Sequence, residues 1–305
     1  MSATTTGPPV SVVIPTYNDD EFLSRAVESA LTQAYEPLEI LLIDSSDSPV
    51  AAKLSDGHEP VRQITTPPNG PGAARNVGID DATGEYIAFL DADDEWLPGK
   101  LAAQIEELEV SNAAFAFSEE YVVSVDGARE HVPGLSFPED EPPHEYYFRN
   151  GTGIGSRTVV VRSDCLEHQR FDEELDARED PHLWTRLLRE YRPVKIPEPL
   201  AVKHARADSL TADPELVWQN ERRSIEDLTA RFDELEPYRT DRLTEANYRC
   251  AKRLLGAGKN RRARTIIRGS DRRGPRMMVL LGLSYLPVGH GAAVDGMDAV
   301  YRLAT

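Results

Sequence analysis

The sequence predicts an α/β protein with a mostly parallel central sheet, followed by an α-helical C-terminal region. Short apolar runs rich in β-branched residues alternate with stretches of helical periodicity over the first hundred residues. This alternation is typical of right-handed β–α–β crossovers, which build a parallel sheet covered by helices on both faces. After about residue 205 the strand pattern ends and longer helical stretches follow. We therefore expect one domain at residues 1–205 and a helical region at residues 206–305.

Four strands are expected in the first hundred residues, at positions 10–15, 39–43, 61–65 and 86–90. Three of them are short apolar runs, whereas the third carries a weaker signal. Parallel strands present their carboxyl ends at one edge, where open α/β sheets bind their ligands. Tyr17, Asp44 and Asp91 follow three of these strands and should therefore converge, although they are far apart in sequence.

Helical periodicity is expected after three of the strands. The first helix begins after Asn18 and ends near Leu31. The second follows the turn PPNGPG and spans about 73–82, because proline and glycine mark the turn. The third has Pro98 in its first turn, a position that suits proline.

Three carboxylates end the fourth strand, at Asp91, Asp93 and Asp94. Hard oxygen ligands two residues apart suit Mg²⁺ or Mn²⁺, which keeps some waters and also takes phosphate oxygens of a substrate. Aspartate is also a common turn former and helix N-cap, so a D-x-D triplet alone has a purely structural reading.

The composition is strongly acidic, with a formal net charge of -18 and 28 arginines against 6 lysines. An acidic, lysine-poor composition resembles that of proteins from salt-loving organisms, in which salt screens self-repulsion. The same charge argues against a nucleic-acid partner for the whole molecule, since such partners are bound through basic surfaces.

The sequence favours a cytoplasmic protein. Cys165 and Cys250 lie far apart without metal-type spacing and are expected to be reduced thiols, although a single disulfide stays open. The first ten residues lack the basic and apolar regions of a signal peptide, so none is expected. No run approaches the roughly 20 apolar residues that span a bilayer.

Several motifs in order resemble the family 2 glycosyltransferases with the GT-A fold. They are VSVVIPTYN, EILLID, NGPGAARNVGIDDATGEYIAFLDADDEWLPGKL and GSRTVVVRSDCLEHQRFDEELDAREDPHLWTRLLREY. The last block carries the family's F-D-E-x-L turn at 171–175 and its E-D pair at Glu179 and Asp180. The motifs cover residues 10–205, about two thirds of the chain. The resemblance implies a catalytic domain with a nucleotide-sugar half near 8–110 and an acceptor half near 111–205.

The resemblance also implies roles for individual residues. Tyr17 would lie against the nucleobase, Asp93 would be the direct ligand of a Mg²⁺ or Mn²⁺ ion, and Asp180 would be the general base. The positions implied to contact the nucleotide donor or its ion are Pro15, Tyr17, Asp44, Ser45, Arg75, Asp91, Ala92 and Asp93.

Alternatives stay open for three of these assignments. Asp180 could instead cap a helix, and Arg75 could be a surface ion pair. His204 follows the short strand 200–203, where some family members place a histidine near the phosphates, and we add it to Asp91 and Asp93 as a predicted metal ligand. A lone histidine beside a strand is more often structural.

The loop after the second strand departs from the family pattern. Family members commonly read Asp-Asp-Gly-Ser there, whereas this chain reads Asp44, Ser45, Ser46 and Asp47. The second carboxylate of the pattern is missing, which weakens hydrogen-bond acceptance from an N–H of the nucleobase. The identity of the base is therefore open.

The predicted function is metal-dependent, inverting transfer of a sugar from a nucleotide-diphosphate donor to a hydroxyl of a glycan or of a lipid-linked acceptor of the polyprenyl or dolichyl phosphate type. One candidate base without a protein nucleophile favours direct displacement. One alternative is a non-catalytic sugar-nucleotide binder in a glycan-assembly complex. The other is a nucleotidyltransferase, although PTYNDDEF lacks the glycine- and arginine-rich loop of that class.

The C-terminal region separates basic from apolar residues. Residues 215–255 are expected to form two helices separated near Pro237, and residues 249–276 contain eleven basic residues against one acidic residue. The apolar stretch MMVLLGLSYLPV follows at 277–288. This arrangement suits peripheral binding at an anionic membrane surface on the cytoplasmic face. The alternative is a helical hairpin whose apolar strip packs on the catalytic domain.

Overall fold

The computed structural model divides the chain into two compact units, Met1–Ser209 and Leu210–Thr305. The first unit is a mixed α/β unit, and the second is helical. The residues that the structure describes are 4–18, 20–48, 60–151, 153–206 and 209–285.

The first unit is built on one sheet of nine strands within the described residues, in the order β3-β2-β1-β4-β8-β6-β9-β5 with β7 beside β6. Six strands run in one direction, and β5, β7 and β8 run against them. The prediction of a mostly parallel sheet is therefore confirmed. The strands are β1 (Thr5–Thr16), β2 (Tyr35–Asp44), β3 (Val61–Thr65), β4 (Tyr86–Phe89), β5 (Glu95–Trp96), β6 (Phe115–Val123), β7 (Arg129–Val132), β8 (Val159–Arg162) and β9 (Val194–His204).

The helices of the first unit connect these strands. The second helix begins three residues earlier than the sequence predicts, because Pro71 lies in its first turn, where proline needs no backbone N–H. The third begins at Lys100 after Gly99, which has a left-handed backbone at φ 86°. The helices are α1 (Asp20–Leu31), α2 (Gly70–Asp81), α3 (Lys100–Ser111), α4 (Pro143–Asn150) and α5 (Glu179–Glu190).

The core lies on both faces of the sheet, as the apolar strands require. Along β1, Val12 and Ile14 belong to one buried cluster, and Val13 belongs to the other. This alternation follows from the two-residue period of a strand. Trp96 and Trp184 are buried, one in each cluster, so both are packing residues.

The second unit has its own apolar core, to which Leu254, Ile267 and Leu280 contribute. The predicted pair of helices separated near Pro237 is confirmed, since one helix ends at Arg231 and the next begins at Glu236 with Pro237 in its first turn. Among the described residues no helix has both the length and the hydropathy to cross a membrane. Residues 286–288 of the predicted apolar stretch lie outside the described residues. The helices are α6 (Pro214–Arg231), α7 (Glu236–Gly256), α8 (Asn260–Arg268) and α9 (Pro275–Leu283).

Gly78 allows α2 to approach β1 closely. A Cβ atom added at Gly78 would lie 2.4 Å from Cγ1 of Val13, a buried β-branched side chain with little freedom to move. We predict that Gly78→Ala destabilises the protein by about 1 to 3 kcal/mol through overpacking. Gly256→Ala is the matched control, since nothing lies within 4 Å of its added Cβ. Equal melting temperatures of the two variants in calorimetry would contradict this prediction.

Candidate active site

The carboxyl ends of β1, β2 and β4 lie side by side, because β1 pairs with both of the other strands in parallel. Thr16 lies opposite Asp44 in the β1–β2 register, and the Leu90 N–H donates to the Val13 carbonyl at 3.1 Å. The residues that follow these strands therefore begin at one edge of the sheet. This edge is where the sequence predicts a ligand site.

The residues that the sequence assigns to the nucleobase differ in burial: Asp44 and Ser45 are buried, whereas Tyr17 is exposed. The Asp44 carboxylate is fully buried and accepts hydrogen bonds from Gln63 Nε2 at 3.1 Å and from the Ser46 N–H at 3.0 Å. Ser45 is also buried, and its hydroxyl donates to the Thr16 carbonyl at 3.0 Å. Tyr17 is 50% exposed. Asp44 and Ser45 therefore shape the loop, while Tyr17 presents its ring to solvent.

Two further residues that the sequence assigns to the donor site, Pro15 and Ala92, lie inside the fold. Pro15 is half-buried and lies opposite Ile43 in the β1–β2 register. Ala92 is 4% exposed, between the two acidic residues of the D-x-D triplet. Neither side chain has polar atoms, so a contact of either with a ligand would be made by shape or through the backbone.

Arg75 joins the D-x-D segment to the E-D pair. Its Nη2 lies 2.5 Å from Asp91 Oδ1, and its Nη1 lies 2.6 Å from Glu179 Oε1. The guanidinium also lies over the Phe171 ring, 5.3 Å from its centroid. Arg75 is only 5% exposed, so the alternative of a surface ion pair is wrong. A residue of α2 thus links the ends of β4 and the beginning of α5.

Arg157 is a residue of this site that the sequence reasoning missed. Its Nη1 lies 3.1 Å from Asp94 Oδ2 and 3.7 Å from Asp91 Oδ2, and its Nε lies 2.6 Å from Glu120 Oε2. It precedes β8, which runs antiparallel to β4, so the beginning of β8 lies at the same edge as the end of β4. The motif GSRTVVVR contained this arginine, but only the strand direction shows that it faces the carboxylates.

The two arginines give the carboxylates of this edge different pKa values. Burial acts to raise the pKa of Asp91, but the charges of Arg75 and Arg157 outweigh it and lower this pKa. Burial and the charges of Asp91 and Asp93 raise the pKa of Asp94 to about 7, against the opposing effect of Arg157. Asp91 therefore stays ionised at neutral pH, whereas the pKa of Asp94 lies near neutrality.

Asp180 is the second residue of α5 and does not cap it. The N-cap position is Arg178, whose backbone is left-handed at φ 70° and whose side chain makes no capping bond. The N-capping alternative for Asp180 is therefore wrong. Burial and the neighbouring Glu179 raise the pKa of Asp180 to about 7, although Arg178 and Arg75 act against this rise. A carboxylate with such a pKa is suited to accept a proton near neutral pH.

The donor set at Asp93 fits a divalent ion that is bound partly by substrate. Asp93 and Asp91 have side chains 27% and 26% exposed. The acidic residues 91, 93 and 94 lie within one turn, in which Arg75 faces Asp91 and Arg157 faces Asp94. Mg²⁺ is usually held by one or two carboxylates together with substrate phosphates and water, and this turn offers that number.

The full predicted metal set of Asp91, Asp93 and His204 is not assembled in the structure. Within the described part of the chain, the ligand atoms of these three residues do not lie within 4.8 Å of one another. Both oxygens of Asp91 face arginines, and His204 Nε2 lies 3.5 Å from Glu95 Oε2. Burial and the charge of Arg25 lower the pKa of His204, so its imidazole is neutral at pH 7. The His204 assignment thus has no support from the geometry.

Comparison with known proteins identifies a family. Residues 11–166, just over half of the chain, match the sequence profile of Glycosyl transferase family 2. The succinoglycan biosynthesis protein ExoO of Rhizobium meliloti is 34% identical over 187 residues, an alignment that covers 57% of this chain and 53% of that protein. The chain therefore spans about half the length of this relative.

Two further proteins extend the comparison. The Escherichia coli protein WfgD, named as a UDP-Glc:alpha-D-GlcNAc-diphosphoundecaprenol beta-1,3-glucosyltransferase, is 29% identical over 184 residues, which cover 59% of this chain and 70% of that protein. The crystal structure of S. aureus TarS 1-349 in complex with UDP-GlcNAc has a TM-score of 0.58 at 18% identity and covers 97% of this chain and 92% of that chain. This likeness confirms the predicted GT-A fold.

Arg157 compensates three carboxylates, so its loss leaves buried negative charge without a partner. We predict that Arg157→Gln destabilises the protein by about 3 to 5 kcal/mol, the usual cost of breaking a buried ion pair. Arg162→Gln is the matched control, because Arg162 is 33% exposed and pairs with Asp164 at the surface. Its expected effect is below about 1 kcal/mol. Chemical denaturation measures both, and equal losses would contradict the assignment.

Proposed function

Because the chain belongs to Glycosyl transferase family 2, we propose that it transfers a sugar, with inversion, from a nucleotide-diphosphate donor to a hydroxyl of a glycan or lipid-linked acceptor. The single observation that carries the proposal is the pair of contacts made by Arg75, to Asp91 at 2.5 Å and to Glu179 at 2.6 Å. These contacts join the acidic triplet, which the donor needs, to the pair that contains the candidate base Asp180.

The relatives support a particular class of donor and acceptor. The name of WfgD specifies a UDP-sugar donor and a diphosphoundecaprenol-linked acceptor. TarS was crystallised in complex with UDP and with UDP-GlcNAc. We propose that the present chain uses a related pair, a sugar nucleotide and an acceptor attached to a polyprenyl phosphate or diphosphate.

The donor side of the proposed site combines carboxylates and arginines. Asp93, with Asp91 beside it, would hold a Mg²⁺ or Mn²⁺ ion, and such an ion neutralises charge that develops on a departing diphosphate. Arg25 Nη2 donates to the Asp93 carbonyl at 2.7 Å, and Arg206 Nη1 lies 3.8 Å from Asp93 Oδ2. Both guanidinium groups lie over the Phe22 ring, at 5.6 and 4.4 Å from its centroid. They add positive charge beside Asp93, where donor phosphates would lie.

A cavity of about 370 Å³ adjoins these arginines. Its lining includes Phe22, Arg25, His204 and Arg206, together with the apolar Val123. Two arginines against one acidic residue, Glu21, with a partly apolar wall suit a ligand that carries both phosphate and less polar groups. In the proposed function His204 acts as a neutral lining residue of this cavity, and the ion is held by carboxylates alone.

Acceptor activation is assigned to Asp180. The acceptor oxygen attacks the anomeric carbon, the bond from that carbon to the diphosphate oxygen breaks, and the hydroxyl proton passes to the Asp180 carboxylate. A single displacement inverts the anomeric configuration. Glu179 is held by Arg75 at 2.6 Å, so it has a positioning role and its charge keeps the pKa of Asp180 high.

We predict that Asp180→Asn lowers sugar transfer by at least about 100-fold while nucleotide-diphosphate binding stays unchanged, since a general base typically contributes that much. Transfer is measured with purified protein and a synthetic polyprenyl-diphosphate sugar acceptor, and binding by calorimetry. Asp80→Asn is the matched control, because the Asp80 side chain is 67% exposed and pairs with Arg170. Full sugar transfer by Asp180→Asn would contradict the role of Asp180 as the general base. If the unmodified protein bound the nucleotide diphosphate but transferred no sugar, the non-catalytic alternative would be favoured.

The pH dependence of transfer gives a second readout of the same residue. The base acts as the carboxylate, and its folded pKa of about 7 lies above the usual carboxyl range. The rate is therefore expected to fall about tenfold per pH unit below pH 7 and to level off above it. A pH-independent rate between pH 5 and about 7 would contradict this assignment.

The C-terminal unit is proposed to lie against an anionic membrane. In α9, Met277 and Leu280 pack in the core of the unit, whereas Met278 and Val279 are 51% and 50% exposed. Exposed arginines precede this apolar face in sequence: Arg261, Arg268, Arg272 and Arg273. Apolar side chains beside arginines are the combination that binds anionic lipid surfaces, with about 1 kcal/mol per basic residue near the surface.

We predict that Val279→Glu reduces binding to phosphatidylglycerol-containing vesicles at least about tenfold. The substitution removes apolar area that the membrane would bury and adds repulsion from the lipid charge. Val110→Glu makes the same change at a residue of α3 that is 78% exposed, and it should leave binding unchanged. Flotation of the full chain with vesicles measures both variants. Equal flotation of the two variants, or no flotation of the unmodified protein, would refute the membrane proposal.

A further inference from the structure

Arg178 begins α5 in a way that helix-capping preferences do not predict. An N-cap residue usually has an extended backbone and a short polar side chain that accepts hydrogen bonds from the first turn. Arg178 instead has a left-handed backbone at φ 70° and makes no side-chain capping bond. A cation is also disfavoured at a helix N-terminus, where the helix dipole is positive. Arg178 therefore departs from the usual pattern in its backbone, its side-chain type and its charge.

The side chain of Arg178 turns away from its own helix and reaches the end of α4. Its Nη2 donates to the Gly151 carbonyl at 2.9 Å. Gly151 is the C-cap of α4, with a left-handed backbone at φ 66°, and its N–H donates to the Tyr147 carbonyl at 2.7 Å. A helix C-terminus has a negative dipole end, so an arginine that binds a carbonyl there is favourable. The charge that is disfavoured at the beginning of α5 is thus compensated at the end of α4.

Helix α4 is a firm anchor for this contact, because it packs on α5 in the core. Tyr147 of α4 and Leu183 of α5 belong to the same buried cluster. The Arg178 carbonyl accepts from the His182 N–H at 3.3 Å, so α5 begins directly after Arg178. The bond from Arg178 to the end of α4 therefore fixes the first turn of α5, and Asp180 lies in that turn.

We propose that Arg178 is a positioning residue of sugar transfer, which holds the first turn of α5 against the end of α4 and so keeps the Asp180 carboxylate in place for the acceptor hydroxyl. This inference rests on the proposed function, because it needs Asp180 as the general base. A left-handed backbone at a residue other than glycine persists only where the surrounding contacts impose it, and such residues cluster at active sites. Here the imposing contact is the bond to the Gly151 carbonyl.

The positive charge of Arg178 also acts on Asp180. Burial and the charge of Glu179 raise the pKa of Asp180, and the charge of Asp91 acts in the same direction. Arg178 at the N-cap and Arg75 of α2 act against this rise, and the effect of Arg178 is the larger of the two. Loss of a positive neighbour raises the pKa of a carboxyl group. Without Arg178, a smaller fraction of Asp180 would therefore be the carboxylate at neutral pH.

The test measures sugar transfer by the full chain, to a synthetic polyprenyl-diphosphate sugar acceptor, as a function of pH. Glycine adopts a left-handed backbone freely, so Arg178→Gly keeps the turn and removes only the side chain. The maximal rate of this variant should fall at least about tenfold, and the pH of half-maximal rate should rise by at least about 0.5 unit. The donor KM should not change. Arg178→Lys keeps a positive charge and a donor, so it should restore the pH of half-maximal rate.

A second measurement separates positioning from a general loss of structure. In the Asp180→Asn background, Arg178→Gly should leave the residual transfer rate unchanged, because Arg178 acts through Asp180. A merely structural role of Arg178 would lower the residual rate as well. Calorimetric binding of UDP and GDP shows that each variant keeps a folded donor site.

Asn112→Gly is the matched backbone control. Asn112 also has a left-handed backbone, at φ 52°, and it is the exposed C-cap of α3. This variant should leave the maximal rate and the pH of half-maximal rate unchanged. An unaltered pH profile of Arg178→Gly, or an equal loss of rate in the Asp180→Asn background, would overturn the role of Arg178 while the proposed function stands. Absence of transfer from UDP- or GDP-sugars by the unmodified protein would overturn the proposed function and this inference together.

Discussion

The arrangement of the site depends on the compensation of buried negative charge by two arginines. Asp91 and Asp94 lie in the turn after β4, whereas Glu179 begins α5, and none of the three can be taken out of water alone without a large penalty. The planar guanidinium of Arg75 meets Asp91 with one nitrogen and Glu179 with another. Arg157 does the same for Asp94 and Glu120. A lysine would offer a single point of charge, so it could not hold two carboxylates at fixed separation in this way.

The sheet determines where this charge balance is possible. The parallel strand β4 brings the D-x-D triplet to the carboxyl edge of the sheet, where Arg75 reaches it from α2. Strand β8 runs in the opposite direction between β4 and β6, so the residue before it, Arg157, arrives at the same edge. One antiparallel strand thus supplies a cation at a place where the parallel strands supply anions.

Much of the fold followed from local sequence signals. The parts that could not be predicted in this way have identifiable physical causes. The apolar centres of β1 and β2 were recognisable, but their first residues are partly exposed and mixed in polarity, so their beginnings at Thr5 and Tyr35 carried no hydrophobic pattern. At the site, the convergence of Tyr17, Asp44 and Asp91 followed from strand order. The contact of Arg157 with Asp91 and Asp94 could not be predicted, because it requires a strand direction that periodicity does not encode. The contact of His204 with Glu95 could not be predicted either, because it forms across an antiparallel strand pair.

Neighbouring charges shift the pKa values of two carboxylates of this site in opposite directions, and this difference decides which of them can act as a base. Asp91 faces Arg75 and Arg157, whose charges outweigh burial and keep it ionised. Asp180 is half-buried and also senses Arg75, but Glu179 contacts one side of that guanidinium and adds its own negative charge beside Asp180. The pKa of Asp180 therefore rises to about 7 while that of Asp91 falls. Two carboxylates whose pKa values are pushed apart by their neighbours are suited to different tasks. The ionised one suits the charge of the donor and its cation, and the other suits acceptance of a proton from an attacking hydroxyl.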